Sequence, residues 1–161
     1  MPRLFVGIDL PPEVDDHLEL MCYGLPGARW EGTEKFHLTL RYIGEVDGRV
    51  HREIIDALQE IDAPMFTLGL KGLGVFPPRG EPSSVWAGIA DPGPVVALKQ
   101  RVDACLRKVH GLEPDPRKFA PHVTLARVGD CAVEEVMAYL AEHALVRTAS
   151  FPVERVLLYS S

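Results

Sequence analysis

The amino-acid sequence predicts an α+β fold made of two similar lobes, each a mostly antiparallel sheet with helices on its outer side. Segments with the two-residue period of strands are interspersed with segments of helical period along the whole chain. In addition, the pattern His-x-Thr-apolar occurs twice, as HLTL at residues 37–40 and as HVTL at residues 122–125. Each copy lies between two predicted helices, which indicates a pseudo-two-fold arrangement with a groove between the lobes.

The first half of the chain begins with the apolar run RLFVGIDL, which predicts a strand that ends at Pro11-Pro12. Helical spacing of Val14, Leu18 and Met21 then predicts an amphipathic helix. The alternating motif segment predicts the next strand, and the turn-rich stretch PPRGEP separates two later strands. The predicted order is strand 3–10, helix 12–23, strand 36–43, helix 50–61, strand 65–76 and strand 83–90.

The second half repeats this plan from its longest predicted helix onward. A Pro-rich loop, EPDPRKFAP, connects that helix to the second motif strand. The predicted order is helix 94–110, strand 121–128, helix 133–145 and strand 151–159. Because no linker is long enough to separate independent domains, residues 1–161 are predicted to form a single domain.

The composition excludes several classes of protein. With a net charge of −6, the chain is not expected to coat a long nucleic acid, which would need a basic surface. The segment 116–128 nevertheless contains Arg117, Lys118 and Arg127 and no acidic residue, which suits a small anion or the end of a nucleic acid. Three cysteines without metal-type spacing predict reduced thiols and a cytoplasmic location, and no apolar run reaches membrane-spanning length, so no membrane contact is expected. No obligate protein partner is evident from the sequence, and a monomer is expected although the residues leave the oligomeric state open.

The doubled motif predicts acid–base chemistry. Side chains alternate along a strand, so His37 and Thr39 share one face, as do His122 and Thr124. Two facing imidazoles can provide a base and an acid near neutral pH, as in-line attack on a phosphodiester requires. The threonine hydroxyls can bind the non-bridging phosphate oxygens.

The cation that would accompany the phosphate is left open by the residue pattern. Arg41 lies four residues after His37, so strict alternation places it on the groove face. Arg127 lies five residues after His122, so it points away unless a bulge changes the direction of its side chain.

Other side chains are given structural roles. The remaining histidines fall on helices or their ends, outside any metal spacing: His17, His51, His110 and His143. Tyr42, Phe76 and Trp86 could stack on a base, although core packing is the favoured role for Trp86 and the two roles are nearly balanced for Phe76. No carboxylate cluster complements the histidines, so neither a metal nor another cofactor is expected.

Five segments, which cover nearly the whole chain in order, match the pattern of a known family: MPRLFVGIDLP, Trp30 with KFHLTLRYIGEV, GVFPPRGEPSSVWAGI, FAPHVTLARV and FPVERVLLYSS. Through them the chain resembles the 2H phosphoesterase superfamily, and within it the bacterial RNA 2′,3′-cyclic phosphodiesterases, historically called 2′-5′ RNA ligases. Relatives continue past the last segment into another turn and strand. The chain would then be a piece of a longer one, or its second lobe would lack a C-terminal strand.

The resemblance implies metal-free hydrolysis of a 2′,3′-cyclic phosphate, at an RNA end or on a nucleotide, to a 2′-phosphate. By position, His37 matches the proton donor and His122 the proton acceptor. Thr39 and Thr124 match phosphate-binding threonines, and Arg127 matches an arginine that follows the second motif. A weak reverse reaction that forms 2′-5′ linkages is also implied. The alternative is a non-catalytic module that binds RNA ends or nucleotides in the same groove.

Overall fold

Strands and helices follow one another along the chain in the order that the sequence predicts. The computed structural model describes residues 3–62 and 65–161. The strands there are β1 (Arg3–Asp9), β2 (Arg29–Trp30), β3 (His37–Glu45), β4 (Phe66–Leu68), β5 (Leu70–Phe76), β6 (Ser84–Ile89), β7 (Val123–Arg127), β8 (Phe151–Val153) and β9 (Leu157–Ser160). The helices are α1 (Pro12–Glu19), α2 (Gly48–Gln59), α3 (Gly93–Leu106) and α4 (Val133–Glu142), with a 3₁₀ turn at Thr33–Lys35.

The main sheet is antiparallel and has the strand order β5-β6-β7-β3-β1-β9, with β2 paired to β7. A second, two-stranded sheet joins β4 to β8. The two strands that begin at the motifs, β3 and β7, lie side by side and share one register pair, Leu38 with Val123. The sheet therefore brings the two motifs together although they lie far apart in the sequence.

Helices and sheet enclose two groups of buried apolar side chains. The larger contains residues of β1, β3, β7, α1, α2 and α3, including Val6, Leu38 and Leu125, each with 1% or less of its surface exposed. The smaller lies under α4 and includes Val85, Ala126 and Val136. Burying such side chains stabilises the fold by roughly 1.5–3 kcal/mol each, which fixes the backbone of both motif strands.

Two predicted strands are each divided in the structure because they change partners. The predicted strand 65–76 breaks at Gly69, since β4 pairs with β8 whereas β5 pairs with β6. The predicted strand 151–159 likewise becomes β8 and β9, and β9 returns to the first half of the chain by pairing with β1. The short strand β2 and the 3₁₀ turn are absent from the sequence prediction because they contain too few residues to show a period.

Candidate active site

One cavity of about 680 Å³ is lined by all five side chains to which the sequence assigns site roles. They are His37, Thr39, His122, Thr124 and Arg127. Such a volume is typical of sites for small ligands. The histidines lie where the two motif strands begin, and the register pair one residue later keeps these strand starts side by side.

A β-bulge interrupts each motif strand at the same point, three residues after the histidine. On β3, Thr39 pairs with Gly7 and Arg41 with Val6, so Leu40 is the extra residue. On β7, Leu125 is the extra residue in the same way, between residues that pair with Trp86 and Val85. An extra residue reverses the alternation of side chains beyond it.

This reversal decides which arginine faces the cavity. The position five residues after each histidine now points into it, and these residues are Tyr42 and Arg127. The expectation from strict alternation that Arg41 faces the groove is therefore wrong: Arg41 is buried, with 5% of its surface exposed, and lines a different depression. The bulge at Leu125 on β7 is the one that Arg127 requires in order to face the cavity.

Arg41 belongs to a group of charged side chains behind the cavity. Its Nη1 donates to Asp103 Oδ1 at 2.9 Å, and its Nη2 donates to the carbonyl oxygen of Glu113 at 2.7 Å. Lys99, also buried, donates to the same Asp103 oxygen and to Asp115 Oδ2, both at 3.2 Å. These bonds tie α3 and β3 to the Pro-rich loop that precedes β7.

His37 lies against two aromatic rings. Its ring stacks on Phe5 with centroids 4.8 Å apart, and the Tyr159 ring lies 5.3 Å away. Tyr159 can approach because Gly7 has no side chain; a Cβ there would lie 3.2 Å from the tyrosine ring. Burial is the largest influence on the imidazole and lowers the pKa of His37 below 6.5, against smaller opposing effects of the Lys35 backbone and Glu31.

His122 has a different support. Its ring meets Phe76 edge-on at 4.8 Å, with Trp86 behind at 6.0 Å. Nδ1 lies 2.7 Å from the carbonyl oxygen of Ala120. Because a carbonyl oxygen can only accept, Nδ1–H is the donor, and in the neutral imidazole Nε2 carries the lone pair.

Cations outnumber acids around the cavity. The basic side chains are Lys35, Arg117, Lys118 and Arg127, and the acidic ones are Glu31 and Asp115. Glu31 lies 3.7 Å from Nε of Arg127, an ion pair whose arginine side chain is 63% exposed. A local excess of positive charge on an acidic protein favours an anionic ligand, as the sequence predicts.

Several lining residues have no role in the sequence prediction. Phe5, Lys35, Phe119 and Ser161 line the cavity, and Tyr159 lies next to His37. Antiparallel pairing of the predicted strand 3–10 with the first motif strand could have identified Phe5. The position of Tyr159 could not be identified in this way, because it requires the pairing of β9 with β1. The four other histidines do not line this cavity; His17 and His51 lie on helices, His143 follows α4, and His110 lies in the turn after α3.

Two further observations concern the described residues only. In residues 3–62 and 65–161, no three side chains of His, Cys, Asp or Glu are grouped so as to hold a metal ion. Within the same residues, each helix is too short or too polar to cross a membrane.

The family follows from a comparison with known proteins. The model of the 2′-5′ RNA ligase superfamily matches residues 29–161, which include both motifs. The chain belongs to this superfamily. The resemblance seen in the sequence is thus confirmed.

Relatives in the superfamily have a common name. A protein of Aeropyrum pernix called RNA 2′,3′-cyclic phosphodiesterase is 36% identical over 130 residues, which cover 80% of this chain and 73% of the relative. An Aquifex aeolicus protein of the same name is 28% identical, with 99% and 88% of the chains covered. The crystal structure of Escherichia coli LigT complexed with 3′-AMP matches with a TM-score of 0.76 and 25% identity, over 99% of this chain and 88% of that one. These matches confirm the α+β fold with antiparallel sheets and four helices.

Proposed function

We propose that this chain is an RNA 2′,3′-cyclic phosphodiesterase, which hydrolyses a cyclic phosphate on an RNA end or a nucleotide to a 2′-phosphate. One observation carries the proposal: two histidines, at the starts of adjacent strands, line one cavity with two threonines and an arginine. Relatives that bear this name, and the 3′-AMP bound by the E. coli protein, support the choice of a nucleotide phosphate. We also infer one two-lobed domain over the chain, with pseudo-two-fold motif strands.

In the proposed reaction, His122 is the base and His37 the acid. The lone pair on Nε2 of His122 takes a proton from water while the water oxygen attacks phosphorus. The bond from phosphorus to the 3′-oxygen breaks, and His37 gives its proton to that oxygen. Each transfer contributes typically 10²–10⁴-fold to the rate. Thr39, Thr124 and Arg127 bind the non-bridging oxygens.

The acid role of His37 requires help from the substrate. Burial lowers the pKa of its imidazole in the free protein, which favours the neutral form. A phosphodiester anion in the cavity favours the charged form, because an opposite charge within about 4–6 Å raises an imidazole pKa. The bound substrate would thus promote protonation of its own acid catalyst.

The first test is turnover of a nucleoside 2′,3′-cyclic phosphate, with the product identified by its phosphorus NMR signal. We expect a 2′-phosphate, a bell-shaped dependence of rate on pH, and activity that persists after exhaustive chelation. The reverse reaction, formation of a 2′-5′ linkage, is expected to be weak. Tight binding without turnover would favour a non-catalytic module, and loss of activity on chelation with recovery on adding zinc or manganese would contradict the metal-free mechanism.

A further inference from the structure

We propose that Tyr42, Arg117 and Lys118 form a second anion subsite, which binds the internucleotide phosphate on the 5′ side of the nucleotide that carries the cyclic phosphate. This inference rests on the proposed function and extends it to the substrate class. It predicts that the preferred substrate is an oligonucleotide end rather than a mononucleotide. The three side chains line the same cavity as the two motif histidines.

The first evidence for the subsite is a difference between the two motif strands. Five residues after the histidine, β7 directs Arg127 into the cavity, whereas β3 directs Tyr42 there. The guanidinium of Arg117 lies over the Tyr42 ring, 4.8 Å from its centroid. The first strand therefore lacks its own arginine at this position, but Tyr42 supports one from the loop before β7.

The charges of Arg117 and Lys118 are available to a ligand. Within residues 3–62 and 65–161, the ion pairs do not include either of them. The nearby carboxylate of Asp115 is already engaged, since Lys99 donates to its Oδ2 at 3.2 Å and the Arg117 backbone N–H to its Oδ1 at 3.0 Å. Although burial opposes the effect, these bonds lower the pKa of Asp115, as expected for a satisfied carboxylate.

The loop that carries the two cations is fixed from behind. Buried Arg41 bonds to the Glu113 carbonyl oxygen, and buried Lys99 bonds to Asp115. These hydrogen bonds hold the residues on both sides of Pro114, and so they fix the loop without involving the side chains of Arg117 and Lys118. The Arg117 guanidinium held on the Tyr42 ring, with Lys118 next to it in the sequence, matches a second phosphate, because phosphate contacts fix the register of a nucleic acid on a protein.

The direction of the RNA follows from the chemistry of the substrate. A 2′,3′-cyclic phosphate stands at the 3′ end of a chain, so any further phosphate lies on the 5′ side of the same nucleotide. A nucleoside 2′,3′-cyclic phosphate with a free 5′-hydroxyl lacks that group. The subsite should therefore distinguish a dinucleotide that ends in a cyclic phosphate from the corresponding mononucleoside.

The test compares kcat/KM for these two substrates in a variant and a matched control. The variant is Arg117→Gln with Lys118→Gln, which keeps the backbone N–H that binds Asp115. The control is Arg107→Gln with Lys108→Gln, which removes the same dipeptide of exposed cations from outside this cavity. We expect the ratio of dinucleotide to mononucleoside kcat/KM to fall about tenfold in the variant, chiefly through KM, and to keep its wild-type value in the control.

Salt dependence and product binding complete the test. For the dinucleotide, the slope of log(kcat/KM) against log[salt] between about 50 and 200 mM should become shallower by about one in the variant. Tyr42→Leu, which removes the ring under Arg117, should lower the substrate ratio by about two- to fivefold. An unchanged ratio in the variant, or an equal fall in the control, would overturn the subsite. The dissociation constants of the two 2′-phosphorylated products give a corresponding ratio of dinucleotide to mononucleoside affinity without turnover. An inactive protein would refute the proposed function, and this ratio would still show whether the subsite exists.

Discussion

The two motif strands have the same bulged backbone but carry different side chains beyond the bulge. In both, the six residues from the histidine onward show the same pattern of burial, and both bulge at the fourth residue. Beyond the bulge, β7 continues with Ala126 and Arg127, whereas β3 continues with Arg41 and Tyr42. The bulge places the first residue of each pair on the buried side and the second in the cavity.

Two strands that bulge at the same position thus carry different side chains beyond it. On β7 the small residue Ala126 occupies the buried position, and Arg127 occupies the cavity position. On β3 the buried position holds Arg41, which anchors the loop before β7. The loop then provides Arg117, which lies on Tyr42. Each strand thus presents a guanidinium, β7 directly and β3 through a residue of the other half.

The largest expected effect concerns what the strands share. If His37 and His122 transfer protons, replacing either with alanine should lower kcat by about 10²–10⁴-fold. The double variant should be little worse than the single ones, because catalytic groups that act as a unit are not additive. His110→Ala is the control, since His110 is exposed and lies outside the cavity. Near-normal turnover by either folded single variant would exclude the two-histidine mechanism.

The next effect concerns the arginine of β7. Arg127→Gln should lower kcat/KM for a cyclic nucleotide by about 10–100-fold, the loss expected for one hydrogen bond to a charged group. Arg29→Gln is a close control, because Arg29 is the register partner of Arg127 and does not line the cavity. Equal activity of the two variants in steady-state assays would mean that the bulge does not bring Arg127 to the substrate.

The buried arginine of β3 should matter for stability. Arg41→Leu leaves Asp103 with Lys99 alone and frees the Glu113 carbonyl oxygen, which should lower the free energy of unfolding by about 1–3 kcal/mol. Urea denaturation measures this loss. A second variant, Arg41→Leu with Asp103→Leu, should recover part of it, because no carboxylate is then left short of a partner. A change below about 0.5 kcal/mol would show that Arg41 does not stabilise the fold.

Much of the candidate site could be predicted from the sequence because its signal is local. Alternation within a strand puts His37 with Thr39, and the repeat of the motif pairs them with His122 and Thr124. Both inferences need only a few neighbouring residues. The succession of helices and strands along the chain follows from periodicity for the same reason.

What could not be predicted depends on distant partners. A bulge is defined by the strand opposite, so the reversal that exposes Arg127 and buries Arg41 leaves no mark on the local pattern. The support of His37 by Tyr159 likewise needs the pairing of β9 with β1. These contacts arise from the tertiary fold, which periodicity does not specify.

The smallest effect concerns the protonation of His37. In the free protein, burial lowers the pKa of His37, so NMR titration of its ring should give a value below 6.5. Adding inorganic phosphate should raise that value, since an anion in the cavity stabilises the imidazolium.

The lowered pKa of His37 also makes stability depend on pH. Without phosphate, the unfolded chain binds the proton more tightly than the folded one, so His37 contributes stability above pH 6.5 and that stability is lost as the pH falls through the lowered pKa. His37→Gln should accordingly flatten the dependence of the free energy of unfolding on pH in this acidic window. A titration at or above pH 6.5 without phosphate would contradict the role of burial, and a value insensitive to phosphate would contradict substrate-promoted protonation of the acid.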